Sequence, residues 1–302
     1  MTERSARVKR KTDNSIFPYA VVFPAVVILL CVIAFPALTS IFISFTDMSM
    51  RKGFSGFGFV GLANFIQVIN DPEIPTVVSH TLIWTFSVLS FALMLGIAVA
   101  LLLQSLGRIG NKLLIVWLLP WVMPDIAAAM IWSILLHPQI GAFNYALVWL
   151  RILKEPIAWL SEPSLALWGV VVAAIWRAFP FHMTMSYAAL QTLPEELRDA
   201  AQMDGVSGWQ FLRHIQLPWI TPVLSTTTLL GFIWTFNWFS LIYGMTKGGP
   251  GGITQTVPIY IYKRALNFFD FSRASAFSIL TLLFISVLIF VYIKNFVAKR
   301  NI

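Results

Sequence analysis

Apolar runs of about 20 residues or more recur along this chain between short polar stretches, and each reads as a membrane-spanning helix. Six are placed, at about residues 17–45, 79–104, 113–136, 165–190, 219–242 and 273–295. The fold class expected is therefore all-α, a polytopic membrane protein with six transmembrane helices. The polar stretch Gln191–Pro218 between the fourth and fifth runs has the signals of a short helix–turn–helix. Thr192-Leu193-Pro194-Glu195 has the spacing of a capping box, and Glu195 and Glu196 sit where a helix dipole favours negative charge. Gly205 is suited to the left-handed cap that ends the first short helix. Ser207-Gly208-Trp209-Gln210 gives a second capping box, and Pro218 is expected to close the second short helix before the next span. Ala200 and Ala201 are small enough to let a partner surface approach closely.

Composition agrees with the pattern. Hydrophobic residues make up 58% of the chain, charged residues 11%, and the mean hydropathy is +0.78; a water-soluble globular chain carries about 25% charged residues. The first apolar run is too long for the core of a signal peptide and lacks a small-x-small cleavage site, so it counts as a span. Lys and Arg set the orientation. Arg4, Arg7, Lys9, Arg10 and Lys11 crowd the N-terminal tail, and Arg198 and Arg213 lie in the 191–218 loop. The positive-inside rule puts both termini and this loop in the cytoplasm. Residues 1–16 and 296–302 then form cytoplasmic tails around a membrane domain at 17–295. The net charge of +8 is mostly this topology signal, and no basic patch with interleaved aromatics suggests nucleic acid.

The polar loop carries the most specific pattern in the chain. Asp199-Ala200-Ala201, Gly205, and then Ile215-Gln216-Leu217-Pro218 stand at the spacing E-A-A-x3-G-x9-I-x-L-P, with Asp199 in place of Glu. This resembles the cytoplasmic loop of permease subunits in bacterial binding-protein-dependent ABC importers. Phe59-Val60-Gly61-Leu62-Ala63-Asn64-Phe65 resembles a segment of the sugar-importing branch of that family. Lys247-Gly248-Gly249-Pro250 with Thr254, followed by Tyr260-Ile261-Tyr262, is similar to an outer element of one of its two permease types. The resemblance implies a permease of the bacterial inner membrane that moves a sugar or related polyol into the cytoplasm. It implies partners too: a second, related permease, two cytoplasmic ATPase subunits and an external solute-binding protein. It also implies that Glu196, Asp199, Ala200, Ala201, Asp204, Gly205, Ile215, Leu217 and Pro218 couple this chain to the ATPase.

Missing motifs matter as well. The chain has no G-x4-G-K-[ST] phosphate loop, so it binds no ATP by that device, and ATP and magnesium are expected on the partner. No cofactor or metal is expected on this chain. Neither G-x-S-x-G nor H-E-x-x-H occurs, the lone Cys31 forms no internal disulfide, and His80, His137, His182 and His214 lack ligand spacing. An enzyme is not expected. A secondary transporter would need coupling-ion ligands or inverted repeats, and no repeat is visible. An anionic solute of the glycerol phosphate kind is the other alternative.

Two charged residues fall deep in apolar runs. Asp125 lies about 18 Å from the inner end of the third span and Arg177 about 20 Å from that of the fourth, so the two can pair. Pro120 and Pro124 are expected to break the third helix beside Asp125. Trp234 lies about 24 Å into the fifth span from Pro218, near the depth of Arg177 and Phe181. Aromatic faces and amides together suit a sugar ring, so Arg177, Phe181, Trp234, Asn237 and Trp238 are candidates for the substrate path. Trp234 and Trp238 stand at i and i+4 and would share a helix face. Trp84, Trp117, Trp121 and Trp132 read as interface anchors or packing.

Overall fold

The computed structural model describes residues 17–48 and 58–297. The basic tail at 1–16 lies outside them, as do residues 298–302. The described residues form an all-α membrane domain. Helix α1 (Phe17–Leu29) runs through a π turn at Leu30–Ala34 into α2 (Phe35–Ser44), and the short α3 (Ala63–Ile69) follows. Two long helices, α4 (Ile74–Ser105) and α8 (Pro163–Gln191), flank the broken pair α5 (Arg108–Val122) and α6 (Asp125–Leu135) and the small α7 (Ala142–Trp149). Helix α9 (Glu195–Met203) is followed by α10 (Gly208–Phe211), which passes through a π turn at Leu212–Gln216 into α11 (Leu217–Phe236). Then come α12 (Ser240–Thr246), α13 (Val257–Tyr262) and α14 (Phe271–Tyr292). Among the described residues, five helical segments are long and apolar enough to cross a membrane, and α5 with α6 makes a sixth only as a pair bent by 92°.

Prolines explain the departures from six straight spans. The expected third span at 113–136 begins earlier and breaks at Met123-Pro124, both extended with ψ near 140°. Pro124 disfavours helical backbone in the residue before it and has no N–H to continue the ladder. Pro218 does not close a short helix as expected. It sits at the second position of α11 in a helix that is continuous from Gly208 to Phe236. The preceding π turn bonds Leu217 N–H to Leu212 O, and this wider spacing absorbs the missing proline donor. The π turn before Pro36 does the same, with Phe35 N–H bonded to Leu30 O. The expected fifth span, 219–242, ends at Phe236, and α12 starts again after a break at Asn237–Phe239.

Close approach of α4 and α8 sets the core. Hydrocarbon gives apolar helices no reason to associate, so membrane packing relies on small residues that let backbones meet. A Cβ on Gly96 of α4 would stand 2.7 Å from both His182 Cβ and Met183 N of α8. The other side of His182 meets α11, where a Cβ on Gly231 would lie 2.9 Å from His182 Cε1. His182 is thus a wedge between two glycines, in keeping with the packing role expected of it. Ala92, Ala100, Met183 and Leu190 fill the same interface and are buried.

Polar ties hold the segments between the spans. At one end of the bundle, buried Asn64 donates to Ser44 O at 2.8 Å and Thr46 O at 2.7 Å, pinning α3 to the end of α2. Asp71 accepts from the Tyr260 hydroxyl at 2.6 Å and from Arg264 at 2.7 Å. Burial works against the Asp71 charge, but Tyr260, the Glu73 amide and Arg264 together hold its carboxyl below the usual range. The Gly-Gly-Pro element is a compact turn at this end, with Lys247, Gly248, Gly251 and Gly252 at positive φ and the Thr254 hydroxyl donating to Gly249 O at 2.8 Å. Buried Asn144 likewise ties Ile157 and Trp159 into the loop after α6.

The glycine contact yields a test. Gly96→Val should lower the thermal unfolding temperature of the purified protein, because overpacking a closed interface costs about 1–3 kcal/mol. Gly208→Ala, where a Cβ meets nothing within 4 Å, should leave it unchanged. Equal behaviour of the two variants would refute the close-packed seam.

Candidate functional site

Helix α8 carries Arg177 at its midpoint, fourteen residues from either end. The break after α5 brings Asp125 to it. As the first residue of α6, Asp125 occupies a helix N-terminus where a carboxylate is favoured. Its Oδ1 lies 3.3 Å from an Arg177 Nη, and its Oδ2 accepts from the Trp238 indole at 2.9 Å. The pairing open to Asp125 and Arg177 by depth is therefore formed, and Trp238 joins it.

Around this pair lies a cavity of about 470 Å³. Arg177, Phe181, Trp234, Asn237 and Trp238 all line it, with Trp121, Asp125 and His182. One wall is aromatic. Trp121 stacks on Phe181 at 6.2 Å between centroids, and Trp234 meets the edge of Phe181 at 4.9 Å. Trp234 is half exposed and Asn237 is exposed. The Asn237 Nδ2 donates to Ile233 O at 2.9 Å, which leaves its Oδ1 as an acceptor. Trp234 and Trp238 both reach the cavity but do not share one helix. The helix ends at Phe236, and Trp238 turns away to Asp125 while Trp234 stays on α11. Trp121, expected as packing or an interface anchor, is part of the cavity wall. Its place one residue after Pro120 and three before Pro124 was the signal that the break would aim it there. Trp84 is fully buried and donates to Thr235 O at 2.9 Å, satisfying a carbonyl at the end of α11.

The 191–218 loop forms a second candidate region at the far end of the same helices. Gly205 has φ +70°, with Gly205 N–H bonded to Gln202 O and Val206 N–H to Ala201 O, a Schellman closure of α9. The Ser207–Gln210 capping box is present in both directions. The Thr192 box is not: the Thr192 hydroxyl donates to Ala189 O at the end of α8, and Pro194 precedes α9 with no side-chain cap. A helix that ends at Gln191 leaves free carbonyls, and Thr192 is near enough to satisfy one. Ala201 is buried, so only Ala200 offers a small exposed surface beside Glu196, Asp199, Asp204 and Gly205. Ile215 and Leu217 are half-buried, while Pro218 is exposed. Two large apolar side chains that the motif spacing did not single out, Met203 and Trp209, are exposed by 89% and 67% on the helix pair. Their neighbours Asp204-Gly205 and Ser207 mark turn edges where such residues project outward.

Side chains tie together the helix ends from which this pair projects. Gln216 donates to Gln104 Oε1 at 2.8 Å, and Gln104 donates to Leu190 O at 3.2 Å. The Trp219 indole donates to Thr192 Oγ1 at 3.1 Å, and the Tyr187 hydroxyl donates to Asn111 Oδ1 at 2.5 Å.

Fold and sites together define a polytopic membrane protein with a polar, aromatic-walled cavity halfway along its central helix and an exposed helix pair at one end. The chain belongs to the family of inner-membrane components of binding-protein-dependent transport systems, whose model matches residues 92–301. It is 31% identical over 287 residues to the trehalose/maltose transport system permease MalF of Thermococcus litoralis, covering 95% of both chains. It is 27% identical to the diacetylchitobiose uptake system permease DasB of Streptomyces coelicolor, over 93% of this chain and 87% of that one. Among solved structures, a chain of a bacterial ABC transporter that imports the acidic polysaccharide alginate shares the fold, with a TM-score of 0.79 at 20% identity over 91% and 93% of the two chains.

The ion pair gives a stability test. Arg177→Ala leaves the Asp125 carboxylate without its cation and should destabilise the protein by about 3–5 kcal/mol. Arg177→Ala with Asp125→Asn should recover most of that loss, read as unfolding temperature and yield of assembled protein. Additive losses in the double variant would contradict the pairing.

Proposed function

We propose that this chain is a permease subunit of an ABC importer that brings a sugar or related polyol through the inner membrane into the cytoplasm. The helix pair at 195–211, built on the loop pattern of the family and carried between α8 and α11, whose ends are tied to each other and to α4, supports this reading. It is an exposed projection continuous in the chain with α8 and α11, two of the helices that line the cavity. Both termini and the pair face the cytoplasm, where two ATPase subunits receive it. ATP and magnesium bind those subunits, and this chain itself takes no cofactor and catalyses no covalent step. A second, related permease completes the pathway, and a binding protein delivers solute from outside.

In the proposed cycle, ATPase closure on ATP draws the helix pairs of the two permeases together and rocks the spans towards the outer side. Hydrolysis then resets them. The cavity is where the sugar is held: Trp121, Phe181 and Trp234 offer ring faces for its C–H surface, and Asn237 offers an amide for a hydroxyl. The sugar-transport names of similar permeases favour this solute class. Ion-coupled transport is disfavoured because Asp125, the one deep carboxylate, has both oxygens engaged by Arg177 and Trp238.

Three measurements test the reading. Gly205→Asp puts a side chain at φ +70°, costing about 1 kcal/mol or more and turning the second short helix, although no atom lies within 4 Å to clash. The variant should reach the membrane yet recover less ATPase and transport more slowly; normal transport with normal recovery would remove the docking role. Trp234→Ala should reduce uptake while assembly and basal ATP hydrolysis persist, and unchanged uptake would take Trp234 off the path. A tag on this chain should co-isolate a different permease and an ATPase. A transport-active homodimer of this chain would contradict that partnership.

A further inference from the structure

The cavity is aromatic on one side, but its only formally charged lining residues are Asp125 and Arg177. They lie on different helices at 3.3 Å, and neither side chain is more than 27% exposed. Arg177 has no other ion-pair partner among the described residues, so Asp125 alone sets whether the cavity presents a cation. Three features keep the carboxylate in place. The kink at Met123-Pro124 puts it on the first turn of α6, that helix end favours its charge, and the Trp238 indole fixes its second oxygen.

We infer that Asp125 determines specificity, by neutralising Arg177 so that the cavity takes uncharged glycosides and rejects anionic ones such as uronates or sugar phosphates. The inference rests on the sugar reading above and adds the charge class of its solute. An exposed arginine in an aromatic cavity would be a carboxylate or phosphate receptor, since a guanidinium binds both in a two-pronged fashion. Here the guanidinium is already matched. An anion entering the cavity would meet the Asp125 charge at close range in surroundings that screen poorly, while a neutral ring would meet none of that cost. The neutral pair still leaves hydrogen-bonding edges, which is what a polyhydroxylated ring needs.

A charge measurement tests this without knowing the sugar. Cys31 is the only cysteine of the chain, so Cys31→Ser gives a cysteine-free background, and Trp234→Cys then places one thiol on the half-exposed rim of the cavity. The solubilised complex is treated with anionic and cationic methanethiosulfonates, and the mass gained by this chain gives each rate. With the Asp125–Arg177 pair intact, the anion-to-cation rate ratio should match that of a free thiol in solution. Asp125→Asn should raise it by about tenfold, Arg177→Gln should move it the opposite way, and the double variant should return it to the starting value. Sodium glucuronate should slow labelling in the Asp125→Asn form and not in the form with the pair intact. A ratio already shifted to the anion with the pair intact, no shift in either single variant, or glucuronate protection without any substitution would each overturn the inference. Arg177→Gln, whose unpaired carboxylate lowers the yield, is labelled on the fraction that assembles; should Asp125→Asn not assemble, this swing and its reversal in the double variant decide the matter in the same way. No sugar enters the labelling ratio, so its failure strikes the charge inference alone; the sugar reading falls only on uptake.

Discussion

Everything in this molecule hangs on how closely α4 and α8 approach. In water a helix pair is held by the removal of apolar surface from solvent, but lipid offers no such drive, and association depends on contact quality and on polar groups with nowhere else to go. Gly96 lets the α8 backbone come so near that even a methyl group would collide with Met183 N. His182 fills the remaining space and reaches Gly231, so a third helix is keyed to the same point. The residues beside this key are functional candidates: Phe181 precedes it and Arg177 lies little more than one turn away. A looser seam would therefore blur the cavity before it unfolded the protein, because packed interiors transmit small shifts rather than absorb them.

That seam also makes α8 a lever. The helix is continuous from Pro163 to Gln191, with the cavity arginine at its centre and the exposed helix pair attached at its end. Pro180 lies inside it, yet the helix carries on past the one missing donor, and the Thr184 hydroxyl bonds back to Pro180 O. Gln104, Gln216, Thr192 and Trp219 link the ends of α4, α8 and α11 around the pair. Side-chain bonds of ordinary strength do not by themselves hold a bundle; each contributes about 1 kcal/mol. What they do is fix the ends of α4, α8 and α11 relative to one another at the point where α9 and α10 leave the bundle.

The sequence disclosed the spans because lipid imposes a coarse rule, about twenty apolar residues for each crossing, that needs no tertiary information. It disclosed the helix pair because caps are local: Gly205 and Ser207 act on backbone atoms within a few residues of themselves. Thr192 misled for the same local reason, since a hydroxyl at that position can serve the helix behind it or the one ahead, and only the observed end of α8 decides. The pairing of Asp125 and Arg177 was legible from depth alone. The kink angle at Pro124, the end of α11 at Phe236 and hence the parting of Trp234 from Trp238 were not. They depend on contacts between segments far apart in sequence, such as that of the Trp238 indole with Asp125. The Asp71–Tyr260–Arg264 cluster was invisible for the same reason, its members lying 189 and 193 residues from Asp71.

Helix breaks create the polar character of this site. A straight helix hides its backbone groups, so a bundle of straight spans would offer a solute only side chains. At Asn237 and at Pro124 the ladder stops inside the apolar layer, and each freed group needs a partner from the protein because lipid supplies none. The Thr235 carbonyl accepts from the Trp238 N–H and the Trp84 indole, the Ile233 carbonyl from both the backbone and the side chain of Asn237, and Asp125 stands at the N-terminus of α6. The two breaks bring the Asn237 amide, the Trp238 indole and the Asp125 carboxylate to one cavity, where the carboxylate pairs with Arg177. The cavity is thus a consequence of ending two helices in the same plane. Its chemistry is set by the residues that those two endings demand.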